Sequence, residues 1–287
     1  MFEDILVPTD GSDCAAAAVE YAAELASRYS ARVYVLSVVD SRPFDDMPHR
    51  ENVEAAAEET VAAVRDDLAD VGVTAETAVR VGIPHREVLD YAAEREVDLV
   101  AMGTHGRTGV ERYLLGSVTE KVVRLSDVPV LTVPGSDGAD ARFSEVLVPT
   151  DGSEQAEAAV DVGADVADTY GARLHALAVV EPMSLGLDVR SEMLSDALED
   201  AAQAAVERVA ERATAAGVTD VETTVRYGYP SREVLDYVDN NEVDLVAMGT
   251  HGRTGISRYL LGSVTEKVVR TAGVPVLTVR APEADEA

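Results

Sequence analysis

The fifteen residues GTHGRTGVERYLLGS at 103–117 return as GTHGRTGISRYLLGS at 249–263, with two positions changed. No other feature constrains the fold as much, because a repeat must be read before any local pattern. ILVPTDGSD at 5–13 returns as VLVPTDGSE at 146–154, an offset of 141. VDLVAMGTHGRTG at 97–109 returns at 243–255, an offset of 146, so the second copy holds five extra residues between Glu181 and Arg226. From Val97 to Val133, 32 of 37 positions equal their partners at 243–279. The repeating unit is therefore a whole domain and not a solenoid module of about 20–50 residues. A length of 287 residues agrees, since domains run to roughly 150. The sequence predicts one domain over 1–135 and another over 143–280, with an exposed linker at about 134–142, PGSDGADAR, rich in turn residues.

Within each half, short apolar runs alternate with helical patterns. DILVPT reads as a strand, and Ser12 is a candidate N-cap for the alanine-rich helix that follows. RVYVLSVV is a strand, residues 51–72 an amphipathic helix ended by Gly72, and TAETAVRV a strand. PHREVLDYAAERE is a helix with proline in its first turn. DLVAMG is continuously apolar, as a doubly buried parallel strand should be. A glycine loop, the helix SVTEKVVRLS and the strand PVLTV close the unit. Alternation of this kind implies an α/β fold with right-handed crossovers and a parallel sheet covered on both faces.

Ligands of such sheets bind beyond the carboxyl ends of the strands, where strand order reverses. Asp10 follows the first strand and Gly103 the fourth, and these ends are neighbours if the order is 3-2-1-4-5. Glycine admits close approach to backbone N–H groups, and a helix start offers free donors and the positive end of a dipole. SVTE reads as a capping box with Ser117 at N-cap and Glu120 at N3. The loop after Gly103 and the helix start at Ser117 could hold a polyphosphate between them, with Arg107 as a fixed positive charge. Gly249, Gly252, Arg253, Gly262 and Ser263 repeat the arrangement. Either element alone is equally well a tight turn or a helix cap; the full spacing G-x2-G-x9-G-S, found twice after a buried strand, favours a ligand. It is neither a Walker A loop nor the dinucleotide fingerprint, which follows the first strand.

The formal charge is −29, from 53 acidic and 24 basic residues. Such a surface repels phosphate backbones, so nucleic acid is excluded as the expected partner. Only two of the basic residues are lysine, Lys121 and Lys267. An acidic shell with almost no lysine is the pattern of a halophile's cytosolic protein, where salt screens self-repulsion. No apolar run reaches about 18 residues, so no membrane span is expected. The single cysteine, Cys14, and the absence of a signal-peptide pattern fit a reducing cytoplasm.

VPTDGS at the first strand end, VV in the second strand and G-x2-G-x9-G-S after the fourth together resemble the universal stress protein family in its tandem, ATP-binding form. The resemblance covers nearly all of both halves. It implies two tandem five-stranded parallel-sheet domains of strand order 3-2-1-4-5, adenine nucleotide alpha hydrolase-like, each with an ATP or AMP site. On the matching positions, Pro8, Thr9 and Asp10 would line the adenosine end and Val38 would meet adenine. Met102 and Gly103 would close the ribose side, and Gly106, Gly116, Ser117 and Val118 would hold phosphates. In the second half the matching positions are Pro149, Thr150, Asp151, Val179, Met248, Gly249, Gly252, Gly262, Ser263 and Val264. The family also implies an intrachain pseudo-dimer paired through the last strands, with further homodimerisation open, and a protein partner the sequence does not name.

His105 and His251 invite a catalytic or metal reading, but a lone loop histidine lacks a second ligand. Asp10 and Asp151 have a second use as caps of the next helix. Cys14 stands where the second half has Gln155 and reads as packing. The unlike stretches 41–50 and 182–191 are either lids or plain crossover loops. Glu111 stands where the second copy has Ser257, an extra acid that would weaken polyphosphate binding in the first copy. Hydrolysis would need a positioned water, a base and usually Mg²⁺, and no base is evident. The expected function is nucleotide binding in stress regulation or protection. A slow Mg-dependent ATP hydrolase and a nucleotide-free partner-binding protein are the alternatives.

Overall fold

The computed structural model describes residues 1–42, 47–106, 115–135, 141–181, 189–252 and 261–281, and the side chains of 47–50 and 189–195 are not described. The chain divides into two units, Met1–Arg142 and Phe143–Ala287. The first runs β1 (Asp4–Pro8), α1 (Asp13–Tyr29), β2 (Arg32–Asp40), α2 (Met47–Asp70), β3 (Ala75–Gly82), α3 (Pro84–Glu94), β4 (Leu99–Gly103), α4 (Ser117–Leu125) and β5 (Val130–Val133). The second repeats it as β6 (Glu145–Thr150), α5 (Glu154–Tyr170), β7 (Arg173–Val180), α6 (Val189–Ala216), β8 (Val221–Tyr227), α7 (Pro230–Asn240), β9 (Leu245–Gly249), α8 (Ser263–Thr271) and β10 (Val276–Val279).

Within the first unit the strand order is β3-β2-β1-β4-β5, and within the second it is β8-β7-β6-β9-β10, so each is a five-stranded 3-2-1-4-5 sheet. The pairing is parallel, with Ile5 opposite Val33 and Leu99, and Val146 opposite Leu174 and Leu245. The cause is legible in the residues. Ile5, Leu6, Leu99 and Val100 are wholly buried, which suits strands covered on both faces. In each unit the first two helices pack together, as do the last two. Right-handed crossovers put the two pairs on opposite faces of the sheet.

Helix α1 begins as expected. Ser12 is its N-cap and its hydroxyl accepts the Ala15 N–H at 3.4 Å. Ser153 caps α5 in the same way. Helix α2 starts earlier than the periodicity indicated, at Met47, and stops at Asp70 before Gly72. Gly72 and Gly217 both take positive φ just after α2 and α6, where a β-carbon would be strained. No helix among the described residues is long and apolar enough to cross a membrane.

Candidate functional site

The order of strands reverses between β1 and β4, so their carboxyl ends form the crevice where such sheets take ligands. The chain leaves β1 through Thr9, whose N–H donates to the Leu36 carbonyl at 2.8 Å. Asp10 then turns the backbone: its Oδ1 accepts the Ser12 N–H at 3.0 Å, while Gly11 adopts φ 75°. Strand β2 pairs with Pro8 at Leu36 and runs on, so Val38 stands beyond the end of β1. Val38 and Val179 are half-buried, whereas their strand neighbours Ser37, Val39, Ala178 and Val180 are buried.

Two close approaches fix the β4 end. A β-carbon on Gly103 would lie 2.7 Å from the carbonyl carbon of Cys14, and one on Gly249 would lie 2.6 Å from the carbonyl oxygen of Gln155. The first turn of α1, and of α5, therefore sits directly on the strand end. This gives Gly103 and Gly249 a packing reason to be glycine, in addition to the ribose-side role expected from the resemblance. A β-carbon on Gly106 would lie 2.5 Å from Asp10 Oδ2, and one on Gly252 2.5 Å from Asp151 Oδ2. Absence of a side chain lets the second loop lie against the carboxylate of the first. The Ser12 hydroxyl also reaches the His105 carbonyl, at 3.5 Å.

The expected capping box at Ser117 does not form. Gly116 is the N-cap, with extended φ and ψ and no side-chain bond, and Ser117 is the first helical residue. The reason is a competing bond: the Gly116 N–H donates to the Thr104 carbonyl at 2.7 Å, which sets Gly116 before the helix starts. Glu120 donates its own N–H to the Gly116 carbonyl. Thr119 then ties the helix to the strand, its hydroxyl donating to the Gly103 carbonyl at 2.8 Å. Gly262, Thr250, Thr265 and Gly249 repeat these bonds. Helix geometry leaves the N–H groups of Ser117, Val118 and Thr119 without an intrahelical acceptor. Ser117 and Ser263 are exposed and Val118 and Val264 half-buried, so these donors open outward. Thr104 and Thr119 carry no motif of their own in the sequence; the signal for them is their repetition as Thr250 and Thr265.

The structure thus brings Pro8, Thr9, Asp10, Gly103, Gly106, Gly116, Ser117 and Val118 to one strand-end crevice, with Val38 at its edge. In the second unit Pro149, Thr150, Asp151, Gly249, Gly252, Gly262, Ser263 and Val264 gather likewise, with Val179 at the edge. Met102 and Met248 are buried, so their side chains lie in the core and only their backbone is at the crevice. Arg107, Arg253, Glu111 and Ser257 lie outside the described residues, as do parts of the unlike stretches.

The electrostatics are local. His85, at the start of α3, has its pKa pushed down from 6.5 by burial first, then by Lys121, Arg86, Arg42 and Arg124. Cations therefore collect on the α3–α4 side of a very acidic chain. His105 bonds through Nδ1 to the Thr104 hydroxyl at 2.9 Å, while its Nε2 is buried without a partner. Burial lowers its pKa below 6.5. A histidine with a depressed folded pKa takes up fewer protons than the unfolded chain, so it costs stability as pH falls below 6.5. An NMR titration of the ring protons should show His105 still neutral where an exposed histidine is half-charged. A midpoint at or above 6.5 would mean the ring is not buried as described.

Two stretches of the chain, residues 1–134 and 142–280, match the model of the universal stress protein family. A universal stress protein of Mycolicibacterium smegmatis is 29% identical over 299 aligned residues, covering 96% of each chain. Universal stress protein MJ0531 of Methanocaldococcus jannaschii is 36% identical over 140 residues, 46% of this chain and 82% of its own. The crystal structure of a universal stress protein from Archaeoglobus fulgidus superposes with a TM-score of 0.76 at 26% identity, covering 97% of this chain and 98% of its own.

Proposed function

The chain belongs to the universal stress protein family, and we propose that each of its two units binds one adenine nucleotide. One observation carries the reading. In both units the β4 loop lies against the aspartate of the β1 loop and is tied to a helix start whose free N–H groups open into the strand-end crevice, and in the first unit the Ser12 hydroxyl also bonds the His105 carbonyl. Such a start favours phosphate oxygens through its donors and its dipole. Gly106 and Gly252 present bare backbone beside it. The half-buried Val38 and Val179 offer an apolar contact to a base at the opposite rim. Arg107 and Arg253 would add charge to the phosphates, with Mg²⁺ as the natural counterion of ATP.

The nucleotide is read as a signal and not as fuel. Its state would alter the surface around the β4 loops, and so partner choice, in stress regulation or protection. The acidic, lysine-poor composition supports a working environment of concentrated salt, and the single cysteine supports a reducing cytoplasm. Calorimetric titration of ATP with Mg²⁺ into the chain in molar salt tests the reading. It should give a stoichiometry of two. A stoichiometry of zero for ATP, ADP and AMP alike would turn the reading toward a nucleotide-free partner-binding protein. Mg-dependent release of ADP, well above background and lost on altering the loops, would turn it toward a slow hydrolase.

A further inference from the structure

The second unit carries a cleft of about 260 Å³ between α5 and α6, next to the turn at Thr150 and Gly152. Its apolar lining is Val160, Ala205 and Val209, and its charged lining is Glu157, Arg208, Glu211 and Arg212. The charges are not equivalent. Arg212 is held in place by Glu157 at 3.2 Å and Asp161 at 2.6 Å. Arg208 and Glu211 have no hydrogen-bond or ion-pair partner among the described residues. They stand three apart on one helix face, within reach of each other, yet do not pair.

The first unit is built differently at these positions. Helices α2 and α6 end alike, Gly72 N–H on Ala69 and Gly217 N–H on Thr214, so position 208 corresponds to 63 and 211 to 66. The first unit has Ala63 in place of Arg208 and Asp67 in place of Arg212, and Ala16 in place of Glu157. Its acid at the position of Glu211 is Asp66, which Arg65 engages at 2.7 Å. Among the described residues, a cation and an anion that stand side by side without partners over an apolar floor are thus particular to the second unit.

We propose that the cleft binds a small zwitterion, an α-amino acid with an aliphatic side chain. Its carboxylate meets the Arg208 guanidinium, which suits a planar anion. The ammonium meets Glu211, and the side chain covers Val160 and Val209. Two facing acids, Glu157 and Glu211, disfavour a dianion such as a phosphate monoester. The volume lies below the roughly 300–1,000 Å³ of sites for drug-sized ligands, so the occupant is a small metabolite. The proposal is independent of the nucleotide reading, although the cleft shares the Thr150–Gly152 turn with that site.

The test is calorimetric titration of the full chain with L-leucine, 4-methylpentanoate, which lacks the amine, and 3-methylbutylamine, which lacks the carboxylate. Leucine should bind once per chain, and each half-molecule roughly tenfold or more weakly, since each forfeits a charged hydrogen bond. Arg208→Ala and Glu211→Gln should each weaken leucine to a similar degree. Both side chains are exposed, so the ligand-free variants should melt as the parent does. No leucine binding at millimolar concentration overturns the proposal. So does equal binding of 4-methylpentanoate, which would mean a plain anion site, or leucine binding that survives both substitutions.

Discussion

Alanine at Gly103 or at Gly249 lowers stability by about 1–3 kcal/mol per site, the usual cost of forcing an extra methyl into a packed region. The obstacle is backbone and cannot rotate aside. A methyl at Gly103 would meet the Cys14 carbonyl carbon at 2.7 Å, and one at Gly249 the Gln155 carbonyl oxygen at 2.6 Å. Relief requires the first turn of α1 or α5 to lift from the strand end. That movement would also part the Ser12 hydroxyl from the His105 carbonyl. Gly273→Ala is the control: nothing lies within 4 Å of its β-carbon, so its change should stay within about 0.5 kcal/mol. Chemical denaturation midpoints in molar salt measure all three. Equal effects at Gly103 and Gly273 would refute the close seating of α1 on β4.

Aspartate at Gly106 removes nucleotide from the first unit, and at Gly252 from the second. Gly106 is exposed, and the nearest atom to its β-carbon is the far end of the Asp10 side chain. A second carboxylate there faces Asp10 and the place proposed for phosphates. Juxtaposed like charges cost several kcal/mol, and each 1.4 kcal/mol is tenfold in affinity, so the loss is at least about a hundredfold. Titration with ATP should show one equivalent for each single variant and none for the double. Unchanged stoichiometry in the double variant would remove the β4 loops from the site.

Much of this was legible in the sequence because the repeat sets two copies side by side. DLVAMG declared a doubly buried strand, and Ser12 before an alanine-rich helix declared a cap. The parts that stayed hidden depend on atoms far apart in the chain. Ser117 reads locally as an N-cap, yet the Gly116 N–H is already committed to the Thr104 carbonyl, twelve residues upstream, so Gly116 is the cap and the helix starts one residue earlier, at Ser117 itself. Gly103 reads as a loop glycine, but its neighbour is the backbone of Cys14, 89 residues away by number, and only packing reveals that. Met102 stands beside the crevice in sequence, while the strand period turns its side chain into the core. His175 attracted no notice as a strand residue. It is buried between the Tyr237 hydroxyl at 3.0 Å and Glu145 at 2.6 Å, where the first unit has Tyr34 stacked edge-on to Tyr91.

The most direct test uses the protein as purified in molar salt. The chain is denatured, and the small molecules released are identified and counted by mass spectrometry. The account predicts adenine nucleotide, up to one per unit, rebound in full when ATP and Mg²⁺ are supplied to stripped protein. No released nucleotide, together with no rebinding to the stripped and refolded chain, would contradict it.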